Sequence, residues 1–312
     1  MKFFVLIISA FLFAGCSGVV ESGKPTTTLK IASFNMAFCR DTIDLKIWEE
    51  RKNSIMPVLE KFDFDICGSQ EPYAFQVKYL AQQAPKYAFV CELLGDETPD
   101  KYALRPDKYH KRNLVLPNMN NPIWYKKDKF DVIESGKFWY SKTPEIQSGA
   151  WEEDRWDGER TCVWAKFREK RTGKEFYVFN SHWIVAQSPQ DIASVKSAEL
   201  LLKKIKQIAQ NSTYFVMGDL NATDDFTSIK ILKNSGMLKS AKDFARVPDK
   251  TAKTTFVGFY GTYKKQMIID HIFTSNNVSI EDFSVGNVYK LSPDGKKIYP
   301  SDHLPIFSTV KF

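Results

Sequence analysis

The 312-residue sequence lacks the features that define several protein classes. Outside its first fifteen residues there is no apolar run near the roughly 20 residues that a membrane-spanning helix needs. Its five cysteines form no CxxC pair, which excludes a zinc finger and a small disulfide-stapled domain. The 14 prolines and 15 glycines are too few for a disordered or collagen-like chain. What remains is a globular composition with a net charge of +7, which mildly favours a polyanionic partner.

The first residues have the pattern of a bacterial export signal. Lys2 is followed by the apolar run Phe3–Phe13, and small residues precede Cys16. The order Phe-Ala-Gly-Cys resembles a lipobox, in which the cysteine is lipidated. We therefore expect a signal peptide over residues 1–15 and a lipidated cysteine with a tether over 16–28. These would anchor the protein to a membrane of the bacterial cell envelope, either periplasmic or surface-exposed. A plain signal peptide with a chance cysteine is the alternative.

Strand and helix patterns interleave from residue 29 to residue 312 without a long linker, so we predict one α/β domain. Apolar residues at helical spacing predict helices over Trp48–Phe62, Tyr73–Gln83 and Pro189–Gln210. Runs rich in β-branched and aromatic residues predict strands. These are Leu29–Asn35, Asp65–Gln70, Pro122–Tyr125, Phe130–Trp139, Cys162–Arg168, Glu175–Ser181, Thr213–Met217, Gln266–Thr274, Val278–Val288 and Leu304–Phe312.

Polar side chains repeatedly accompany the ends of these strands. The clusters are Asn35, Gln70-Glu71, Asn180-Ser181-His182, Gly218-Asp219-Leu220-Asn221, Asp270-His271 and Ser301-Asp302-His303. Functional groups gather at strand ends in open sheets, although Asp, Asn and Ser also start turns or cap helices there. Three of the four histidines fall in these clusters. Six independent turns are therefore a poor explanation.

The order of these motifs resembles that of the endonuclease/exonuclease/phosphatase superfamily. Its specific signals are GDLN at residues 218–221 and SDHLP at residues 301–305, and the resemblance runs from Leu29 to Phe312. It implies an α/β fold, a four-layer sandwich in which two mixed β-sheets pack face to face with helices outside. It also implies a catalytic cleft at one edge and the hydrolysis of phosphate esters.

Such hydrolysis needs a cation on the phosphate, an oriented water and a group that assists the departing oxygen. Glu71 is a hard oxygen ligand, and Asn35 and Asp302 complete the predicted metal set. Oxygen ligands with water favour Mg²⁺ or Mn²⁺ over zinc. An N-cap of the following helix is the structural alternative for Glu71.

The resemblance implies catalytic roles for five further residues. Asp219 would orient or deprotonate the attacking water, and Asn221 would hold that water or a phosphate oxygen. His303 would contact the scissile phosphate while Asp270 holds its imidazole in the needed tautomer. His182 would donate to a non-bridging oxygen.

Three residues give weaker signals. Arg160 either grips phosphate or forms a surface ion pair, and Asn121 is a candidate substrate-binding residue of the cleft. Trp151 belongs to a loop that either stacks on a substrate ring or packs onto the sheet.

Near the histidines, this chain differs from many family members after His182, and His271 has an expected structural role. Many family members place an acid two residues after the histidine that corresponds to His182, but this chain continues Trp183-Ile184-Val185. The sequence therefore does not identify the hydrogen-bond partner of His182 or the substrate. His271 alternates with Asp270 along a strand, so it points to the opposite face and is expected to be structural.

Three functions are consistent with these residues. The first is an exported Mg²⁺- or Mn²⁺-dependent phosphoesterase that cleaves phosphodiester bonds, a nuclease. Its polynucleotide would meet the basic residues of the long segment Gly95–Asn121, namely Lys101, Arg105, Lys108, Lys111 and Arg112. The alternative is a phosphatase or a phospholipid head-group phosphodiesterase, which membrane anchoring would suit. The third is a non-catalytic surface binding lipoprotein. No obligate protein partner is inferred.

Overall fold

The computed structural model describes residues 26–39, 42–93, 119–153 and 159–312, without the side chains of residues 42–44 and 56. The predicted signal peptide, the lipidated Cys16 and the basic cluster of residues 101–112 lie outside these ranges. No helix within the described ranges has the length and apolar character needed to cross a membrane.

Sixteen strands and five helices follow one another through the described residues. The strands are β1 (Thr28–Asn35), β2 (Ile66–Gln70), β3 (Tyr87–Val90), β4 (Ile123–Lys126), β5 (Phe130–Trp139), β6 (Thr161–Glu169), β7 (Glu175–His182), β8 (Thr213–Asp219), β9 (Leu238–Ser240), β10 (Val247–Pro248), β11 (Asp270–Ser275), β12 (Ser279–Ile280), β13 (Asp282–Val285), β14 (Lys290–Leu291), β15 (Lys297–Ile298) and β16 (Ile306–Lys311). The helices are α1 (Thr42–Phe62), α2 (Ala74–Gln83), α3 (Ile192–Ile208), α4 (Thr227–Asn234) and α5 (Ala241–Phe244).

The strands form two large mixed sheets and one small hairpin. The first sheet has the order β10-β13-β16-β1-β2-β4-β3, with β12 also paired to β16. The second has the order β5-β6-β7-β8-β11-β9, and β14 pairs with β15. In each large sheet one central pair is parallel, β1 with β2 and β7 with β8, so these strands end at the same edge.

Alternating side chains build the layers. In β1, Leu29 and Ile31 are buried between the two sheets, whereas Ala32 and Phe34 face α1 and α2 on the outer side of the first sheet. The second sheet does the same, since Phe215 points inward and Val216 contributes to the cluster shared with α3 and α4. The predicted four-layer α/β sandwich of two mixed sheets with helices outside is confirmed.

Element bounds differ from the sequence prediction where local pairing intervenes. The strand predicted from Gln266 begins only at Asp270, because the backbone before it pairs with the Thr255 region, where the Thr255 hydroxyl accepts from the Ile269 amide. At the N-terminal end, β1 begins inside the predicted tether, and the Thr27 amide donates to the Phe312 carbonyl.

The cysteines have no covalent partners in the described chain. Cys39, Cys67, Cys91 and Cys162 are free thiols. Cys67 and Cys162 lie fully buried in β2 and β6, as their apolar surroundings predict. Burial raises the pKa of Cys162 to about 12, so this thiol behaves as a small apolar side chain.

Candidate active site

Strand register brings the predicted residues to one edge of the sandwich. Asp219 at the end of β8 pairs with His182 of β7 on one side and with Asp270 of β11 on the other. In the first sheet, Asn35 pairs with Gln70, the residue before Glu71. The two edges are bonded together, because Asn35 Nδ2 donates to Asp219 Oδ2 over 2.9 Å.

Steric crowding explains why the GDLN motif begins with glycine, Gly218. A Cβ on Gly218 would lie 1.9 Å from the Ser181 carbonyl oxygen, so the close approach of β8 to β7 requires glycine. Two residues of the site also adopt left-handed backbone, Glu71 with φ 75° and Asn221 with φ 49°. Non-glycine residues rarely occupy this region, and such strain collects at functional sites.

Asn35 orients two carboxylates at once. Its Nδ2 donates to Glu71 Oε1 over 3.0 Å as well as to Asp219, while its Oδ1 accepts from the Ala37 amide over 2.9 Å. Because a backbone amide can only donate, the amide oxygen must face Ala37 and the NH₂ group must face the carboxylates. An NH₂ group cannot ligate a cation. In this geometry Asn35 positions the two carboxylates; its amide oxygen keeps a second lone pair, so its role as a metal ligand stays a prediction.

Two groups of three ligand atoms among the described residues could hold a cation, and Glu71, His182 and Asp219 form the one that does not include the protonated His303. Each offers one ligand atom, and these atoms all lie within 4.8 Å of one another. Two carboxylates and an imidazole can hold a divalent cation, and the carboxylates are ligands that Mg²⁺ and Mn²⁺ accept. The Glu71 side chain is 13% exposed, which leaves it the most open of the three. The residues present thus fit the metal that the sequence predicts.

Asp302 lies near this group without joining it. It belongs to neither cluster of three ligand atoms found among the described residues, and its Oδ1 accepts from Ser301 Oγ over 3.2 Å. Its charge still acts on Glu71, whose pKa is raised first by burial and then by Asp302. The geometry therefore supports Glu71 as the principal ligand and gives Asp302 an electrostatic influence.

Asp219 is a buried carboxylate with a titration point near neutrality. Burial raises the pKa of Asp219 to about 7; the His303 imidazolium opposes this rise, and the charges of Asp270 and Glu71 add to it. The backbone amide of Asn221 donates to Asp219 Oδ1 over 2.9 Å, which helps to fix the orientation of the carboxylate. The Asn221 side chain is itself held by a 3.1 Å bond to the Trp183 carbonyl. A carboxylate with this pKa suits a general base.

His303 is held as an imidazolium. Its Nδ1 lies 2.9 Å from Asp270 Oδ2, and its Nε2 lies 3.6 Å from Asp219 Oδ2. Burial alone would lower the pKa of His303, but Asp270 and Asp219 outweigh it and hold the pKa well above its usual value. Phe256 packs edge-on against the ring at 5.0 Å between centroids. Nε2 of His303 therefore carries a proton on the side of the ring that faces Asp219.

His182 is neutral and contacts Arg160. Arg160 Nη1 lies 3.3 Å from Nδ1 and 3.2 Å from Nε2 of His182. Burial lowers the pKa of His182 well below its usual value, and the charges of Arg160 and His303 lower it further. Since a guanidinium only donates, one ring nitrogen accepts and the other carries the proton. Arg160 thus contacts the histidine whose usual acidic neighbour is missing from this chain.

Arg160 and Asn121 each present an unsatisfied buried polar atom. Arg160 is 6% and Asn121 is 4% exposed, and neither Arg160 Nε nor Asn121 Oδ1 has a hydrogen-bond partner among the described residues. Asn121 Nδ2 donates to the carbonyl of Thr161, the residue that follows Arg160, over 3.0 Å. Arg160 is therefore buried in the site, and it forms no ion pair with the residues that the structure describes.

Two further predicted residues serve the fold. His271 Nε2 lies 2.8 Å from the Ala222 carbonyl, on the opposite face of β11 from Asp270. Trp151 Nε1 donates to Ser197 Oγ over 2.9 Å and packs against the cluster beneath α3. Trp151 therefore follows the packing alternative.

The sequence prediction overlooked Arg51 of α1. This residue is 1% exposed and donates to carbonyls on both sides of the site. A charged residue in a helix usually faces solvent. The available signal is the spacing of Trp48, Ile55 and Leu59, which places position 51 on the apolar face of α1.

Comparison with known proteins identifies the family of the chain. The Endonuclease/Exonuclease/phosphatase family matches residues 32–303, and the chain belongs to this family. Its members are phosphoesterase hydrolases that generally use a divalent metal.

Individual relatives cover nearly the whole chain. A family protein from Bacteroides thetaiotaomicron has 26% identity and a TM-score of 0.79, over 93% of this chain and 96% of that one. A mannosyl-6-phosphatase from the same organism has 26% identity and a TM-score of 0.76, over 91% of this chain and all of that one. An uncharacterised protein of Acanthamoeba polyphaga mimivirus is 25% identical over 268 residues, 83% of this chain and 90% of the relative.

Proposed function

We propose that this protein is a Mg²⁺- or Mn²⁺-dependent phosphatase that hydrolyses small phosphate monoesters such as sugar phosphates. The observation that carries the proposal is the burial of its phosphate-facing groups. Arg160, His182 and His303 are all at most 6% exposed and converge beside Glu71 and Asp219. A terminal phosphate with one substituent fits such a recessed site, whereas a polynucleotide must pass through it on both sides.

The mannosyl-6-phosphatase supports the same choice. It is a 26% identical relative aligned over its entire length, and its name describes a phosphate monoester of a sugar. The nuclease predicted from the sequence stays a prediction, since the basic residues that motivated it lie outside the described ranges. We therefore place the phosphatase alternative first.

The carboxylate of Asp219 performs the proton transfer in this proposal. It accepts a proton from the attacking water as the new P–O bond forms and the ester P–O bond breaks. Attacking and leaving oxygens lie roughly in line, so the alcohol departs on the side away from Asp219 and takes its proton from solvent. Glu71 and Asp219, with His182 beside them, would hold a divalent cation, which would supply positive charge at the phosphate.

His303 stabilises charge on the phosphate itself. Its Nε2 lies 3.6 Å from Asp219 Oδ2, on the side of attack, so it donates to a non-bridging oxygen and not to the leaving oxygen. Arg160, whose Nε has no partner among the described residues, supplies a second donor from a buried position, where such contacts are strong. Asn121 Oδ1 remains as an acceptor for a substrate hydroxyl.

A substrate panel tests the proposal. Purified protein is assayed on a hexose 6-phosphate, p-nitrophenyl phosphate, bis(p-nitrophenyl) phosphate, single-stranded DNA and RNA, with Mg²⁺, Mn²⁺ or EDTA. We expect the monoesters to turn over fastest and EDTA to abolish the activity, with Asp219→Asn as the inactive control. Cleavage of nucleic acid without monoester hydrolysis would support the nuclease, and full activity in EDTA would overturn the metal requirement.

We also propose that the protein is exported and lipid-anchored through Cys16. Support comes from the basic, apolar and small-residue order of residues 1–16 and from the short tether before β1. An anchored domain at the cell envelope would meet phosphate esters from outside the cytoplasm.

A further inference from the structure

Arg51 lies where three segments of the active site meet. Arg51 Nη1 donates to the Met36 and Pro300 carbonyls, each over 2.7 Å, and Nη2 donates to the Ala37 carbonyl over 3.1 Å. Its guanidinium lies 5.2 Å from the ring centroid of Trp48 and 5.2 Å from that of Phe259. The guanidinium is thus packed between two aromatic rings.

The first of these segments carries the groups that orient the carboxylates. Met36 and Ala37 follow Asn35, and the Ala37 amide is the donor that fixes the Asn35 side chain. One residue further on, the Phe38 amide donates to Glu71 Oε2 over 3.2 Å. A shift of this segment would therefore move both hydrogen bonds to Glu71.

The second segment, at Pro300, leads into Asp302 and His303. The third, at Phe259, belongs to a loop that contacts His303. Pro300 precedes Ser301, whose hydroxyl donates to the Asn35 carbonyl over 2.7 Å, and Asp302 and His303 follow directly. Phe259 belongs to the same loop as Phe256, which packs on the His303 ring. Arg51 is therefore a common hydrogen-bonding and packing partner of both halves of the site.

We propose that Arg51 is a positioning residue for metal binding, which sets the spacing between the Asn35–Glu71 side and the Asp302–His303 side. This inference rests on the proposed function. A planar guanidinium with five donors can hold several carbonyls in fixed directions, and a lysine ammonium cannot reproduce that fork. Partners that orient metal ligands typically change metal affinity by 10- to 100-fold when mutated.

Direct measurement of Mn²⁺ binding tests this role without relying on turnover. Calorimetry or electron paramagnetic resonance on the whole protein gives the Mn²⁺ dissociation constant for wild type, Arg51→Lys and Arg51→Met. We expect the Mn²⁺ dissociation constant to rise at least about tenfold in both variants.

Leu59→Ala is the matched control, because Leu59 is equally buried on α1 and belongs to the apolar cluster under the first sheet. It should lower the melting temperature and leave the Mn²⁺ dissociation constant within about twofold. If Arg51→Lys binds Mn²⁺ as wild type does, the positioning role is overturned. If wild type itself binds no Mn²⁺, the proposed metal dependence has failed, and this inference fails with it.

Phe259→Leu tests the positioning role of Arg51 if both Arg51 variants fail to fold. It removes one of the two aromatic rings that pack on the guanidinium and keeps the hydrogen bonds of Arg51. A rise in the Mn²⁺ dissociation constant of threefold or more supports the proposal, and an unchanged constant overturns it.

Discussion

Asn35 of the first sheet donates a 2.9 Å hydrogen bond to Asp219 of the second, and this bond joins the two sheets at the active site. The same NH₂ group donates to Glu71, so one amide fixes the predicted base and the predicted metal ligand relative to each other. Relative movement of the sheets would therefore change the geometry of both groups together.

Asp219→Asn and Glu71→Gln should lower turnover for different reasons. Each should cost at least about a hundredfold, the usual scale for losing an acid/base or charge-stabilising group. Glu71→Gln weakens a ligand and keeps the base, so raising Mg²⁺ or Mn²⁺ should restore part of its activity, whereas Asp219→Asn should not recover. Steady-state kinetics over a metal titration measure this, and equal recovery of both variants would contradict the assigned roles.

Metal binding should release protons below about pH 7. In the metal-free protein the pKa of Asp219 is raised to about 7 and that of Glu71 is also raised, so protons compete with the cation at lower pH. Metal affinity should therefore increase between pH 6 and pH 8 and level off above that window, by up to about tenfold per pH unit for each proton released. Mn²⁺ calorimetry in buffers of different ionisation enthalpy counts these protons, and a count of zero at pH 6.5 would oppose the prediction.

Asp270→Asn should move the alkaline limit of activity to lower pH. Burial alone would lower the pKa of His303, and the charge of the Asp270 carboxylate is the main influence that holds this pKa above its usual value. Without that charge the pKa of His303 falls, so the imidazolium is lost at a lower pH and activity declines earlier as pH rises. A pH–rate profile measures the shift, with the half-exposed Asp243→Asn as control. An unchanged alkaline limb would show that the charge state of His303 does not control turnover.

Arg160→Met should weaken phosphate binding and spare metal binding. The guanidinium is 6% exposed with an unpaired Nε, so it has a donor to offer an anion. We expect inorganic phosphate to inhibit at least about tenfold more weakly, the scale of one lost charge-assisted hydrogen bond. The Mn²⁺ dissociation constant should not rise, because a positive charge near Glu71 has been removed. Loss of metal affinity in this variant would assign Arg160 to the metal side.

Cys16→Ala should abolish lipid attachment. Cells fed a fatty-acid analogue should label the wild-type protein and leave the variant unlabelled, and the variant should leave the membrane fraction. A Ser17→Ala variant controls for changes near the cleavage site. A mature protein that begins elsewhere and remains in the aqueous phase would contradict the lipoprotein proposal.

Much of the fold was predictable because its signals are local. Phe130–Trp139 matches the predicted strand at both ends, and the buried strands β2 and β8 carry apolar runs that periodicity detects. The strands β3, β9, β10, β14 and β15, of two to four residues each, went unpredicted, because such short segments have no period to measure. The predicted strand Val278–Val288 is divided into β12 and β13. Their pairing is decided by neighbouring strands.

The sequence by itself predicted which residues would gather at the candidate site, because GDLN and SDHLP resemble motifs of the family. Only the tertiary structure shows how these side chains are held. Asn35 orients carboxylates because a backbone amide 2.9 Å from its oxygen fixes which way the side chain points. Arg51 joins the site because helix packing brings its guanidinium to the Pro300 carbonyl, 249 residues away. Contacts between residues so distant in sequence depend on the packing of whole layers, and local pattern carries no information about that packing.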